Sequence, residues 1–160
     1  MTDDANAALI AQLEEQQRRL VFRRFSNTDA WELGSLLVTL GTERGLPIAI
    51  DIQRHGQLLF HAALEGSAPD NDGWIQRKVN VVNRYYASSY LVGRKMAAFG
   101  RELDESAGVY PIDVAPHGGA FPIQIVDVGV VGSVTVSGLP QEADHALVVE
   151  ALTEFLGRTS

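Results

Sequence analysis

The stretch HGGAFPIQIVDVGVVGSVTVSGLPQEADHALVVEALTEFL, residues 117–156, decides the fold because its apolar pattern changes from strand to helix spacing. Apolar residues alternate over 121–125 and recur over 130–137, and the Asp-Val-Gly sequence between them predicts the turn of a β-hairpin. Pro140 follows, near the favoured first position of a helix. The apolar side chains that share one face of this helix, and that we expect to pack on the sheet, are Val148, Ala151, Leu152 and Phe155.

A second hairpin and a second amphipathic helix are predicted upstream. Apolar residues alternate over 48–52 and again over 58–62, and His55-Gly56 between them is typical of a hairpin turn. A helix is expected over 28–44, between a cluster of N-cap residues and Gly45. Gly34 and Gly41 lower its helix propensity, so we expect close packing there against a strand or a second subunit.

The remaining elements complete the prediction of fold class. Helices are expected over 5–18, from about residue 71 through 85, and over 90–99, while Leu20 to Phe25 is expected to be extended. Two hairpins among helices predict a mainly antiparallel sheet flanked by helices on one or both faces. We therefore expect an α/β protein of the α+β type, a single domain over residues 1–160 in which residues 1–14 form a fraying helix.

Composition excludes several classes of function. The net charge of −7 disfavours nucleic-acid binding and attraction to an anionic membrane, both of which require a positive field. The chain has no cysteine, which excludes thiol catalysis, disulfides and iron–sulfur clusters and fits a cytoplasmic location. Residues 1–11 lack the pattern of a signal peptide, and no apolar stretch is long enough to predict membrane insertion.

Positive charge is concentrated in one short stretch. Its members are Arg18, Arg19, Arg23 and Arg24. A solvated helix end followed by a strand edge explains them most simply, and a binding patch is the alternative.

Two glycine-containing sequences are candidate ligand sites. In His117-Gly118-Gly119-Ala120-Phe121 the glycines let the backbone approach a ligand, and the histidine could bind a metal or transfer a proton. A tight turn with a surface histidine is the alternative explanation. Ser137-Gly138 precedes a helix, and helix N-termini bind anions, although a plain strand-to-helix connection accounts for the same residues.

The helix that ends near residue 85 contains a third candidate. Lys78 is a cation on an apolar face that also contains Tyr85. A desolvated amine has a lowered pKa and can serve as nucleophile or base, whereas a structural lysine extends to solvent or pairs with a carboxylate. The polar residues over 80–90 either line a pocket or tie two helices together. No histidine spacing typical of a metal site occurs, so no metal is predicted.

Several separate motifs carry a resemblance to a known family. They are Pro69-Asp70-Asn71-Asp72, Trp74-Ile75, Arg77-Lys78, Val81-Val82-Asn83-Arg84, Ser88-Ser89-Tyr90, Gly118-Gly119, Pro122-Ile123, Val131-Gly132, Val136-Ser137-Gly138 and Asp144. Through them residues 15–157 resemble the GlcG/HbpS-like family of haem-degrading or haem-binding domains, and within it an uncharacterised subfamily of short proteins.

The resemblance implies a profilin-like three-layer sandwich, assembly into dimers or larger rings, and contact with haem or a corrinoid in some members. Eukaryotic relatives imply a non-enzymatic role, partner binding in the targeting of tail-anchored proteins. The first hypothesis is a homo-oligomeric domain that binds a small ligand, haem or a related tetrapyrrole. Its site residues would be His117, Gly118, Gly119, Phe121, Lys78, Tyr85, Ser137 and Gly138. The alternatives are a non-catalytic oligomeric interaction protein and, third, an enzyme with Lys78 or His117 as acid or base.

Overall fold

Two β-hairpins form the centre of the structure, a computed structural model that describes residues 1–159. The strands are β1 (Ala49–Arg54), β2 (Gln57–Ala63), β3 (Ala120–Ile125) and β4 (Gly129–Ser137). The helices are α1 (Asp3–Arg19), α2 (Asn27–Glu43), α3 (Pro69–Tyr85), α4 (Ser89–Ala98) and α5 (Gln141–Thr159). Two short 3-10 turns, Glu105–Ala107 and Pro111–Asp113, lie between α4 and β3. The α+β class and the antiparallel sheet expected from the sequence are confirmed.

The four strands form one antiparallel sheet in the order β2-β1-β4-β3. His55 and Gly56, both with positive φ, turn the first hairpin, and Asp127 and Gly129 do so in the second. The strand expected from Leu20 to Phe25 is wrong in extent. Only Phe22 pairs with β3, because its N–H and C=O alone bond to the backbone of Gln124 and Val126.

Helices cover both faces of the sheet and make three layers. α2 and α5 bury the main apolar core against one face. α3 and α4 cover the other face, and α1 packs on α4. The core side chains with no exposed surface include Leu33, Leu37, Ile48, Ile50, Ile52, Ile123, Val134, Val136, Val148, Ala151 and Leu152.

The two glycines of α2 pack within the chain. A Cβ on Gly34 would lie 2.4 Å from the Phe60 ring, and a Cβ on Gly41 would lie 2.6 Å from Leu64. The lack of a side chain at both glycines therefore lets α2 pack closely on Phe60 of β2 and on Leu64. This packing explains both glycines without contact to a second subunit. Pro140 was expected near the first position of α5. It lies directly before the helix, and its carbonyl accepts the N–H groups of Ala143 and Asp144.

The sheet face under α3 is polar and built from small side chains. Asp51, Ser133, Thr135 and Ser137 are buried there, since each alternates with a core residue on the opposite face. Small side chains let α3 lie close to β4, and this closeness brings Lys78 to the end of that strand. The end of β4 is where the candidate site forms.

Candidate functional site

A cavity of about 460 Å³ opens where α3 crosses the junction between β4 and α5. Asp70, Trp74 and Lys78 form one wall because residues four apart share a helix face. The loop before β3 adds His117 to the rim. The β4–α5 junction supplies the opposite wall, formed by Ser137, Gly138, Leu139, Gln141 and Asp144.

Lys78 is held at the inner end of the cavity and is only 3% exposed. Its Nζ donates to Asp144 Oδ2 at 3.1 Å and to the carbonyl of Val136 at 3.3 Å. Burial lowers the pKa of Lys78 and raises the pKa of Asp144, while the attraction between the two charges opposes both shifts. Of the alternatives for this lysine, the structure therefore contains the one in which it pairs with a carboxylate.

Asp144 connects three elements at the cavity. Its Oδ2 accepts from Lys78 on α3, and its Oδ1 accepts the N–H of Leu139 at 3.0 Å in the junction before α5. One carboxylate thus fixes the spacing between α3, the end of β4 and the start of α5. The wall formed by Ser137 and Gly138 depends on this contact.

The Gly118-Gly119 pair permits close packing behind the cavity. A Cβ on Gly118 would lie 2.1 Å from the carbonyl oxygen of Gln141, and Gly118 N–H donates to Gln141 Oε1 at 3.0 Å. Gly119 has a φ of +141°, and a Cβ there would lie 2.6 Å from Lys78 Nζ. The N–H of Gly118 therefore bonds to the protein itself, which differs from the expectation that it would face a ligand.

His117 lies exposed at the rim of the cavity beside an aromatic and a cationic side chain. Its ring centroid is 5.9 Å from that of Trp74, and the Arg77 guanidinium lies 4.0 Å from the centroid of the same Trp74 ring. Partial burial and then the positive charges of Lys78 and Arg77 lower the pKa of His117. Within residues 1–159 its imidazole makes no hydrogen bond or ion pair, so both ring nitrogens are available to a ligand.

Two of the predicted site residues lie elsewhere. Phe121 is 1% exposed and packs in the main core on the opposite face of the sheet, 6.0 Å from the His145 ring. Strand alternation causes this, because the side chain of Phe121 lies on the same face of the sheet as those of Ile123 and Val134. Tyr85 lies at the far end of α3 and lines a separate cavity with Gln17 and Lys95. Neither belongs to the cavity that Lys78, His117, Ser137 and Gly138 share.

Six cavity residues were not assigned to the site from the sequence: Trp74, Asp70, Asn71, Leu139, Gln141 and Asp144. The spacing of four residues between Trp74 and Lys78 could have identified Trp74, because residues four apart share a helix face. Nothing in the sequence pairs Lys78 with Asp144, which is 66 positions away.

The polar residues over 80–90 tie elements together and do not form one pocket. Ser88 caps α4 by accepting the N–H of Leu91, and the Ser89 hydroxyl bonds to the backbone of Ala120.

The residues that the structure describes contain no group of three or more His, Asp or Glu side chains that could hold a metal ion. No helix within residues 1–159 is both long and apolar enough to cross a membrane.

Comparison with known proteins places this fold in a family. The family model described as haem degrading protein HbpS-like matches residues 25–153. A UPF0303 protein of Streptomyces coelicolor is 61% identical over 157 residues, which cover 98% of this chain and 99% of the relative.

Solved structures agree with that match. The crystal structure of the Ybr137w protein has a TM-score of 0.86 and 34% identity, and the alignment covers 94% of this chain and 88% of that chain. The PduOC:heme complex has a TM-score of 0.68 at 15% identity, covering 81% of this chain and 93% of that chain, which shows a shared fold. The chain therefore belongs to the family described as haem degrading protein HbpS-like.

Proposed function

We propose that the protein binds haem or a related tetrapyrrole at the cavity between α3 and the β4–α5 junction, with His117 facing the ligand. The observation that carries this proposal is the free imidazole of His117 on the cavity rim. Histidine is a common axial ligand of haem iron, and the iron binds the uncharged form of the imidazole. Partial burial of His117, and then the positive charges of Lys78 and Arg77, favour that form by lowering the pKa of His117.

The other residues of the cavity fit such a ligand. Its volume of about 460 Å³ falls in the range of small-molecule sites, which is roughly 300–1,000 Å³. Trp74 offers an apolar ring surface, and Arg77 beside it offers a cation for a carboxylate substituent. Lys78 is ion-paired with Asp144, so its role is to hold the inner wall in place. Bound haem would supply iron redox chemistry, while the chain's own residues bind and orient the ring.

Family membership supports the same proposal. The matching family is described as haem degrading, and a structural neighbour is a heme complex. Residues 25–153, which the family model matches, include Trp74, Lys78, His117 and Asp144.

A haem titration followed by the Soret absorbance tests this function. Wild-type protein is expected to give a saturable red shift, which His117→Ala loses and which added imidazole restores in that variant. His55→Asn is the matched control, because it removes an exposed imidazole at the hairpin tip and asparagine tolerates the φ of 52° there. A Soret shift that is absent in the wild type, or unchanged in His117→Ala, would refute the proposal.

The second candidate is a non-catalytic, homo-oligomeric interaction protein, and one surface feature favours it. Leu58 in β2 is 55% exposed, and Trp31 of α2, whose ring lies 5.5 Å from that of Phe60 in β2, is 65% exposed. β2 is the end strand of the described sheet, so its outer backbone edge is open to pairing. Light scattering at micromolar concentration tests this: Leu58→Lys should dissociate the assembly, and Ile112→Lys, at a site 79% exposed elsewhere, should not. A wild-type monomer would refute it.

A further inference from the structure

A groove far from the cavity runs between residues 19–24 and the last turns of α5. Its volume is about 580 Å³. Phe155 and Leu156 supply its apolar floor, and Arg19, Arg23 and Arg24 line its rim. The groove therefore combines an apolar base with a concentration of positive charge.

The three arginines of this rim have no internal partner. All are exposed, and within residues 1–159 none of their guanidinium groups makes a hydrogen bond or ion pair. Apart from Arg101, the other arginines have a hydrogen bond, and several have an ion pair as well. Because acidic residues outnumber basic ones by 20 to 13, three adjacent unpaired cations are unexpected in this chain.

The C-terminus of α5 does not account for these charges. Cations near a helix C-terminus interact favourably with its unpaired carbonyls. Arg158 already lies in the last turn of α5, where it bonds to Glu154 at 2.6 Å. The rim arginines come from another part of the chain, and Glu154 pairs with Arg158 and not with them.

Backbone groups beside the rim are also unpaired. Phe22 directs its N–H and C=O to β3, where they bond to Gln124 and Val126 at 2.8 Å. The backbone groups of its neighbours Val21 and Arg23 have no partner in the part of the chain that the structure describes. An extended peptide could therefore form main-chain hydrogen bonds here while its side chains meet the arginines and the apolar floor.

We propose that this groove binds an extended acidic peptide segment of a partner protein, with carboxylates on the rim arginines and an apolar side chain on Leu156. Arginine binds carboxylates in a bidentate geometry, which suits a peptide that carries Asp or Glu. A long polyanion is a poorer occupant, because the net charge of −7 repels a nucleic acid or an anionic bilayer beyond the short reach of the patch.

Fluorescence anisotropy with a labelled peptide, Asp-Glu-Leu-Glu-Asp-Phe-Glu-Asp, tests the proposal. The wild-type protein should bind it, and affinity should fall with added salt. Replacing Arg19, Arg23 and Arg24 together by Gln should weaken binding by at least roughly tenfold, because three charge-assisted contacts are lost. Arg101→Gln is the matched control, since Arg101 is also exposed and unpaired but lies outside the groove, and it should bind like the wild type. A peptide with Asn and Gln in place of Asp and Glu should not bind.

Four results would overturn the proposal. The first is no measurable binding of the acidic peptide at millimolar concentration, and the second is equal binding by the wild type and the triple variant. The third is tighter binding, at about 0.15 M salt, to an oligonucleotide or to phosphatidylserine vesicles than to the peptide. The fourth is a wild-type dimer that the triple variant loses in light scattering, which would assign the groove to a second copy of the chain. Circular dichroism of the variant verifies folding.

Discussion

Lys78 Nζ lies 3.1 Å from Asp144 Oδ2, and the two side chains are only 4% and 2% exposed. The pair joins α3 to the start of α5 across the inner end of the cavity. Removing one partner leaves the other charge buried without compensation, and a buried charge of this kind is costly. The contact is thus a structural requirement of the site.

We expect Lys78→Met and Asp144→Leu to lower the free energy of unfolding by about 3–5 kcal/mol each. The double variant should lose much less than the sum, because neither charge then remains. Urea unfolding of the four proteins measures this coupling. Glu14→Gln, which breaks the half-exposed Glu14–Lys95 pair, is the control and should cost less than about 1 kcal/mol. Additive losses in the double variant would contradict the prediction.

His145 should make stability depend on pH. Burial lowers its pKa to about 4, whereas an unfolded histidine has a pKa of about 6.5. Between these values the unfolded chain binds the proton and the folded chain does not, so stability is complete above about pH 6.5 and falls as pH decreases toward 4. The loss from this group reaches about 3 kcal/mol.

The structure gives the reason for this shift and a control for it. His145 Nε2 lies 2.7 Å from Gln16 Oε1, while Nδ1 is buried without a partner among residues 1–159. The imidazole ring packs against the rings of Tyr90 and Phe121. His145→Gln removes the titration, so its stability should fall less steeply between pH 6.5 and 4 than that of the wild type. Chemical unfolding at a series of pH values measures both slopes, and identical slopes would refute the assignment.

The sequence predicted the elements well because local patterns determine them. Both hairpins and α2 followed from alternation, turn residues and caps, all of which act over a few positions. The sequence showed which side chains of the second hairpin share a face. It did not show which face packs in the core and which borders the site, because helices cover both faces. Phe121 was assigned to the site for that reason. The pairing of Lys78 with Asp144 depends on tertiary packing, which no local pattern contains.

Two glycines in helices should respond in opposite ways to the same substitution. A Cβ at Gly34 would lie 2.4 Å from the buried Phe60 ring, so Gly34→Ala should destabilise the protein by about 1–3 kcal/mol. A Cβ at Gly73 in α3 would meet nothing within 4 Å, so Gly73→Ala should stabilise by up to about 1 kcal/mol. Thermal unfolding measures both. Phe60→Leu should partly rescue Gly34→Ala, and the same sign of effect at both glycines would contradict the packing described.

Two buried serines on the polar side of the sheet provide a final matched comparison. Both are 0% exposed, but their hydroxyls differ in hydrogen bonding. Ser89 Oγ accepts the N–H of Ala120 at 3.1 Å and donates to its carbonyl at 3.4 Å. Ser133 Oγ has no partner within the described residues.

We therefore expect Ser89→Ala to cost about 1–3 kcal/mol, because it leaves the buried N–H of Ala120 unsatisfied at the start of β3. Ser133→Ala should be neutral or stabilising, because it removes a buried hydroxyl that gains nothing from the protein. Urea unfolding gives the two free energies, and amide exchange should show faster exchange at Ala120 in Ser89→Ala alone. A loss at Ser133 equal to that at Ser89 would mean that ordered water bonds to the Ser133 hydroxyl beneath α3, and the prediction for that position would be wrong.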